Sequence, residues 1–244
     1  MPTLDIAVLP GAIDTGSVPV AVVVDVLRAT TTIAAMLDAG SVGVRPVCRV
    51  DEALTIKAEE PGLLLAGERS GVAPAGFDLG NSPRPEAVAP VRGRGVVLST
   101  TNGTAAAERA AAVGADVLTL SLTNLPAAVE DLIGRAKDTL VVCSGTDGER
   151  SLEDELAGGL LAEALLGAGW RLSERADAVR TEAMGLAVDG VEVPVRRSFH
   201  AQRLVDLGCD GDVAFCARVG VTRTIPVLDR GAGGGLGMFV SGYH

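Results

Sequence analysis

The stretch Val20 to Met36, VAVVVDVLRATTTIAAM, decides the fold. Its β-branched run from Val20 to Val24 is continuous rather than alternating, as in a strand buried on both faces, and it stops at Asp25. Thr30-Thr31-Thr32 then opens the small apolar run Ile33 to Met36, which reads as the start of a helix. A buried strand that ends on a carboxylate before a helix start places a ligand for a hard cation beside free backbone N–H groups. Arg28, on the same turn, offers a guanidinium fork suited to phosphate or carboxylate. A strand terminator and a capping threonine explain the same residues, so the reading turns on whether the pattern recurs.

It recurs along the chain. Leu4 to Val8 is a first or edge strand, and Val42 to Val47 is another, with Pro46 favouring an edge. Asp51 can cap a helix from Glu52 to Glu60. Leu63 to Ala66 reads as a buried strand leaving through Gly67-Glu68-Arg69-Ser70-Gly71, again with a carboxylate and an arginine at the exit. A turn-rich loop, Val72 to Arg84, holds Asp78, Asn81 and Ser82; long loops of this kind carry function. Strand Gly95 to Ser99 exits through Thr100-Thr101-Asn102-Gly103-Thr104 into a helix from Ala105 to Ala112. Strand Asp116 to Leu120 leads to a helix capped by Asn124 and running to about Lys137. Strand Thr139 to Cys143 leaves through Ser144-Gly145-Thr146-Asp147-Gly148 to the helix Leu152 to Leu166, with Glu153 and Asp154 in its first turn. The remainder is more helical, over Arg171 to Ala187, Pro194 to Leu207 and Asp210 to Cys216, followed by a strand from Thr222 to Leu228 and a flexible Gly231 to Gly237.

This alternation predicts a three-layer α/β/α fold on a mostly parallel sheet, with the polar exits gathered along one edge. The 244 residues contain no Ser/Pro-rich linker, so residues 1–244 are expected to form a single α/β domain or two intimately packed lobes. Hydrophobic residues at 48% supply a core, and aromatics at 2% leave it to Ala, Val and Leu. So few aromatics, with a net charge of −10, argue against nucleic-acid binding; a small anion can still enter a local pocket. The N-terminus MPTLDIAVLPG has no basic start or long apolar core, and no membrane span is expected. The expected compartment is the cytoplasm. The oligomeric state stays open, a homo-oligomer included.

Several phosphate chemistries are excluded by spacing. The only lysines, Lys57 and Lys137, follow Ile56 and Ala136, so there is no P-loop. The glycine-rich tail lacks G-x-G-x-x-G and has no helix after it, and no G-x-S-x-G elbow occurs. Cys143 precedes a glycine turn as in a thiolate phosphatase. That chemistry wants an arginine six residues on, however, where Glu149 stands with Arg150 one place late. The cysteines, Cys48, Cys143, Cys209 and Cys216, form no C-x-x-C pair and read as free thiols.

The exits together resemble the 2-phosphosulfolactate phosphatase family. The blocks that carry the resemblance are Asp25 to Ile33 (DVLRATTTI), Gly67 to Arg69 (GER), Gly76 to Pro83 (GFDLGNSP), Thr100 to Thr104 (TTNGT), Cys143 to Gly148 (CSGTDG), Ser151 to Asp154 (SLED) and Ser198 to Ala201 (SFHA). The resemblance implies a magnesium-dependent acid phosphatase linked to coenzyme M biosynthesis, acting on a small anionic phosphoester. Asp25, Glu68 and Asp78 are the candidate metal ligands, because Mg²⁺ takes a few carboxylates plus water and substrate phosphate. Asp25, Arg28, Glu68, Asp154 and His200 are the candidate catalytic residues, with His200 able to protonate a leaving alkoxide. Arg28 and Arg69 are expected to hold the phosphate or a second acid. Thr30, Thr31, Asn81, Ser82, Thr101, Asn102, Thr104, Ser144 and Thr146 would add donors around the anion, although capping explains any single one equally well. A non-catalytic binder of small anionic metabolites, or a phosphatase of another phosphorylated 2-hydroxy acid, would use the same loops.

Overall fold

The computed structural model describes residues 1–14, 16–231 and 236–242. Among these residues the strands are β1 (Thr3–Ala7), β2 (Val18–Val24), β3 (Gly43–Val47), β4 (Leu64–Gly67), β5 (Gly95–Ser99), β6 (Gly114–Leu120), β7 (Thr139–Cys143), β8 (Arg171–Leu172), β9 (Pro226–Asp229) and β10 (Met238–Ser241). The helices are α1 (Ala29–Asp38), α2 (Val50–Glu59), α3 (Pro85–Val88), α4 (Gly103–Val113), α5 (Leu125–Arg135), α6 (Leu152–Gly167), α7 (Glu174–Leu186), α8 (Glu192–Arg197), α9 (Phe199–Asp206) and α10 (Asp210–Cys216). None of them is long and apolar enough to cross a membrane.

All the strands belong to one sheet, in the order β4-β5-β3-β10-β9-β6-β2-β7-β1-β8. The continuous apolar run of β2 is explained by its place. Val20, Val22 and Val24 enter one core cluster and Ala21 and Val23 the other, so both faces of the strand are covered by helices. The molecule is a three-layer α/β/α structure.

Two expectations change. The sheet is parallel within β4-β5-β3 and within β6-β2-β7-β1-β8, but the two groups are joined by the antiparallel β9/β10 hairpin, which is also antiparallel to β3 and β6. The groups therefore run in opposite senses along the hydrogen-bonded order, and the exits do not line one edge of a single parallel sheet. A twist of about 20–25° per step, summed over the five steps from β5 to β2, turns the groups by roughly 100–125°, so they cross rather than lie flat. Their carboxyl ends meet where α4 begins against α1: a Cβ on Gly103 would lie 2.6 Å from Asp25 Oδ2 and 2.5 Å from Ala29 Cβ. Only glycine permits that approach.

The second change is in the C-terminal part. The expected helix from Arg171 begins instead as β8, paired with β1, and the one from Pro194 breaks at Ser198. Ser198 has an extended backbone and its hydroxyl accepts from Ala201 N–H, so it starts α9 afresh. The strand expected over Thr222 to Leu228 lies at Pro226–Asp229, and its partner β10 was not expected. Of the glycine-rich Gly231 to Gly237, residues 232–235 lie outside the described residues.

Candidate active site

A polar cleft forms where the two strand groups meet. It is lined by Asp25, Leu27 and Arg28 after β2, Glu68, Ser70 and Gly71 after β4, Asn81, Thr100 to Asn102 after β5, Asp147 after β7, and His200 and Arg203 on α9. Ser70 and Asp147 each have φ of 53°, a left-handed conformation that costs a non-glycine residue free energy and recurs at functional sites. A larger, mostly apolar cavity of about 420 Å³ lies elsewhere, and its one acid, Asp38, is held by the hydroxyls of Thr222 and Thr224.

Asp25 is fixed by its own turn. Its Oδ1 accepts from Ala29 N–H at 3.1 Å, and the Thr30 hydroxyl ties Asp25 N–H to the Leu120 carbonyl. Thr31 likewise bonds the Val26 carbonyl, so both threonines shape the turn from inside rather than lining the cleft. Among the described residues Asp25 Oδ2 has no hydrogen-bond donor. Burial raises the Asp25 carboxyl to about 7, and the nearby charges of Glu68 and Glu153 push the same way.

Asp154 stands beneath. It is buried, and its two oxygens accept from Val26 N–H at 2.8 Å and Gly145 N–H at 3.1 Å, which joins the β2 and β7 exits. Burial, then repulsion from Asp25, holds it well above the carboxylate range. It positions the turn and does not line the cleft. Glu153 is also buried and raised by burial, with Ser198 as a hydrogen-bond partner.

Arg28 is 4% exposed. Its Nη1 bonds Asp212 at 2.6 Å and its Nη2 the Gly71 carbonyl at 3.1 Å. Asp212, 2% exposed at the start of α10, also accepts from the Ser82 hydroxyl and Arg84 Nε. Ser82 therefore serves Asp212 rather than the cleft. Glu68 reaches the cleft while bracing it, accepting from Thr101 and Gly71 backbone N–H groups.

Arg69 and Asp78 point away from the cleft in this structure. The guanidinium of Arg69 donates to the carbonyls of Glu68, Ser99 and Cys48 and to the Ser99 hydroxyl, so it is consumed tying β4 to its neighbours. Asp78 accepts from Leu65 N–H at 2.8 Å, beside Lys57, along the outer edge of β4. That edge strand needs its free donors covered, and the loop carrying Asp78 covers them. Thr104, bonded to the Thr100 carbonyl, and Thr146, bonded to Ser151, are likewise internal. Thr101, Asn102 and Asn81 do line the cleft.

Among the described residues some buried polar atoms there have no partner: Asn81 Oδ1, His200 Nδ1 and, nearby, Ser144 Oγ. Such atoms are costly unless something meets them. Burial, then the fields of Arg203 and Arg28, lowers His200 to about 4, so it is neutral at pH 7. Cys143 ends β7 fully buried, and burial raises its thiol well above its ordinary value, the opposite of an activated nucleophile.

Arg203, Asp147 and Asp212 were missed in the sequence. Arg203 had a signal, lying three residues after His200 and so on the same helical face. Asp212 had none, since its partner is 184 residues away.

Among the described residues no group of three or more His, Cys, Asp or Glu side chains is arranged to hold a metal ion. A magnesium-type site does not need one, because Mg²⁺ keeps waters and substrate oxygens around one or two carboxylates. The donor set fits a divalent cation at Asp25, with an uncommitted oxygen, mutual repulsion with its acidic neighbours and Glu68 in the same cleft.

A family model described as 2-phosphosulpholactate phosphatase matches residues 8–231. Proteins called probable 2-phosphosulfolactate phosphatase are similar throughout. The one from Thermotoga petrophila is 41% identical over 86% of this chain and 89% of its own length, and that from Deinococcus radiodurans 39% over 87% and 88%. The Thermus thermophilus protein is 40% identical over 86% and 87%. With a cleft assembled from the blocks that these matches span, the chain belongs to the 2-phosphosulfolactate phosphatase family.

Proposed function

We propose that the cleft hydrolyses a small phosphomonoester bearing a second acidic group, with 2-phosphosulfolactate converted to sulfolactate and phosphate, and that Mg²⁺ is the metal. The observation that carries this reading is Asp25. A carboxyl raised to about 7 in a cleft with Arg28 and His200 is a group poised to hold a metal or exchange a proton, not a strand terminator. The names of the relatives support the substrate.

Asp25 and Glu68 would hold the metal, which when bound neutralises charge on the phosphoryl oxygens and relieves the repulsion between these carboxylates. Arg28, immobilised by Asp212, binds and orients the phosphoryl group. The backbone N–H of Asn102, at the start of α4, adds a donor for it. His200 is neutral in the free protein; a bound phosphoryl dianion opposes the two arginines that lower it and equips the imidazole to protonate the leaving alkoxide. Asp154 keeps the Asp25 turn in place against the β7 exit.

The test is phosphate release from 2-phosphosulfolactate, phospholactate and glycerol phosphate, after chelation and with Mg²⁺ restored. Release that needs Mg²⁺ and favours the acidic esters is expected. Tight binding of these esters without any release would make the protein an anion binder instead.

A further inference from the structure

With Arg69 tied into the sheet, the second acid of the substrate lacks its expected partner, and another arginine stands in the cleft. We propose that Arg203 determines specificity by receiving the sulfonate or carboxylate of the substrate, and that Asp147 occupies that place in the free protein. This assignment rests on the phosphatase reading above.

Among the described residues Arg28 and Arg203 are the cationic side chains lining the cleft, and they are held differently. Arg28 is buried at the floor beside Asp25, bonded to a buried carboxylate and a backbone carbonyl. Its side is where the reacting phosphoryl group belongs. Arg203 is 36% exposed, at the open side, and its carboxylate partner Asp147 is 58% exposed. On 2-phosphosulfolactate, a three-carbon ester, the carboxylate and sulfonate flank the phosphorylated carbon and can project away from the phosphorus, toward that open side. His200 lines the same cleft and lies within the field of both guanidiniums.

The Arg203–Asp147 pair is suited to exchange. An exposed ion pair contributes little, so replacing the Asp147 carboxylate by a substrate sulfonate gives up little. Arg203 also stacks on the ring of Phe199, 5.9 Å from its centroid, and this keeps the guanidinium in place when Asp147 is displaced. Asp147 itself sits on left-handed backbone, its N–H 3.4 Å from Asn102 Oδ1, so the same loop is joined to the α4 start on the phosphate side. A chain of net charge −10 needs local cations at both ends of a doubly acidic ester.

The test compares the parent with Arg203→Ala, Arg203→Lys and Asp147→Ala, each checked for an unchanged melting profile. The readout is the ratio of kcat/KM for 2-phosphosulfolactate to that for glycerol phosphate. Arg203→Ala should cut the ratio by about tenfold or more, chiefly through KM, as removal of a forked charge-assisted contact would. Arg203→Lys should fall between, and Asp147→Ala should keep or raise the ratio. If Arg203 merely braces the loop through Asp147, both alanine variants lower all esters alike and the ratio stays put, which overturns the assignment. Calorimetric binding of sulfolactate, with glycerol as control, carries the test even for a parent that releases no phosphate. Weakening of about tenfold in Arg203→Ala supports the assignment and unchanged binding contradicts it, whereas absent turnover alone counts against the phosphatase reading.

Discussion

At the end of β2, Asp25 and Arg28 both line the cleft; at the end of β4, Glu68 does and Arg69 turns back into the sheet. The two exits carry the same pair of residue types, and the fate of each arginine is decided by what the rest of the fold brings to it. Arg28 meets Asp212, a buried carboxylate delivered by α10 that fixes the guanidinium yet leaves it beside the cleft. Arg69 meets the carbonyls of Cys48 and Ser99 at the ends of β3 and β5 and is used up bonding them. The Arg28 guanidinium therefore stays at the cleft because a second residue holds it there, whereas Arg69 is drawn into the sheet.

The sharpest way to break this contrast is at Asp25. Asp25→Asn should lower phosphatase kcat/KM by about a hundredfold or more, the order expected for loss of a ligand or proton acceptor. The same change should stabilise the metal-free protein above neutrality. The folded Asp25 carboxyl, at about 7, lies above its ordinary 3.8, so its contribution to stability is complete below about 3.8 and is lost as pH rises through about 7. The variant does not incur that loss. At pH 8 without metal it should gain on the order of 2–4 kcal/mol over the parent, a gap that closes near pH 4, read from urea unfolding at each pH. A variant of parental activity, or one with the same pH dependence of stability, would make Asp25 a strand terminator.

Asp212→Asn tests the holder of Arg28. It leaves a buried guanidinium short of its counter-charge, which costs about 3–5 kcal/mol, and activity should fall by about tenfold or more with KM rising. Unchanged kinetics in a folded variant would show that Arg28 does not depend on Asp212. The smallest effect is expected at Cys143, whose thiol is buried and protonated. Cys143→Ser should keep activity within about threefold, with a stability cost of about 1–3 kcal/mol for the buried hydroxyl. A folded but inactive variant would demand a thiolate mechanism.

Much of the fold was legible because each buried strand is a compact apolar run closed by turn residues, as at Val20 to Val24 and Thr139 to Cys143. The β9/β10 hairpin was not, because the strand read over Thr222 to Leu228 does not announce an antiparallel partner and β10 follows a glycine-rich stretch with no second pattern to fix it. That hairpin reverses half the sheet, so the predicted convergence at one parallel edge failed while the meeting of the exits did not. In the site, placements set by local sequence were readable: Asp25 and its helix start sit within a few positions of each other. Roles set by distant partners were not. Nothing in GER distinguishes Glu68, which reaches the cleft, from Arg69, which does not, and nothing near Asp212 announces Arg28.

The contrast between the exits is tested most directly by phosphate release from 2-phosphosulfolactate with Arg28→Ala and Arg69→Ala, each normalised to folded protein. Arg28→Ala should lose about 10–150-fold in kcat/KM, the value of a charge-assisted hydrogen bond of about 1.5–3 kcal/mol. Arg69→Ala should stay within about threefold of the parent while losing about 1–3 kcal/mol of stability, chiefly from the Cys48 carbonyl it leaves without a donor. Equal losses of activity from the two variants, or the larger loss from Arg69→Ala, would contradict the account.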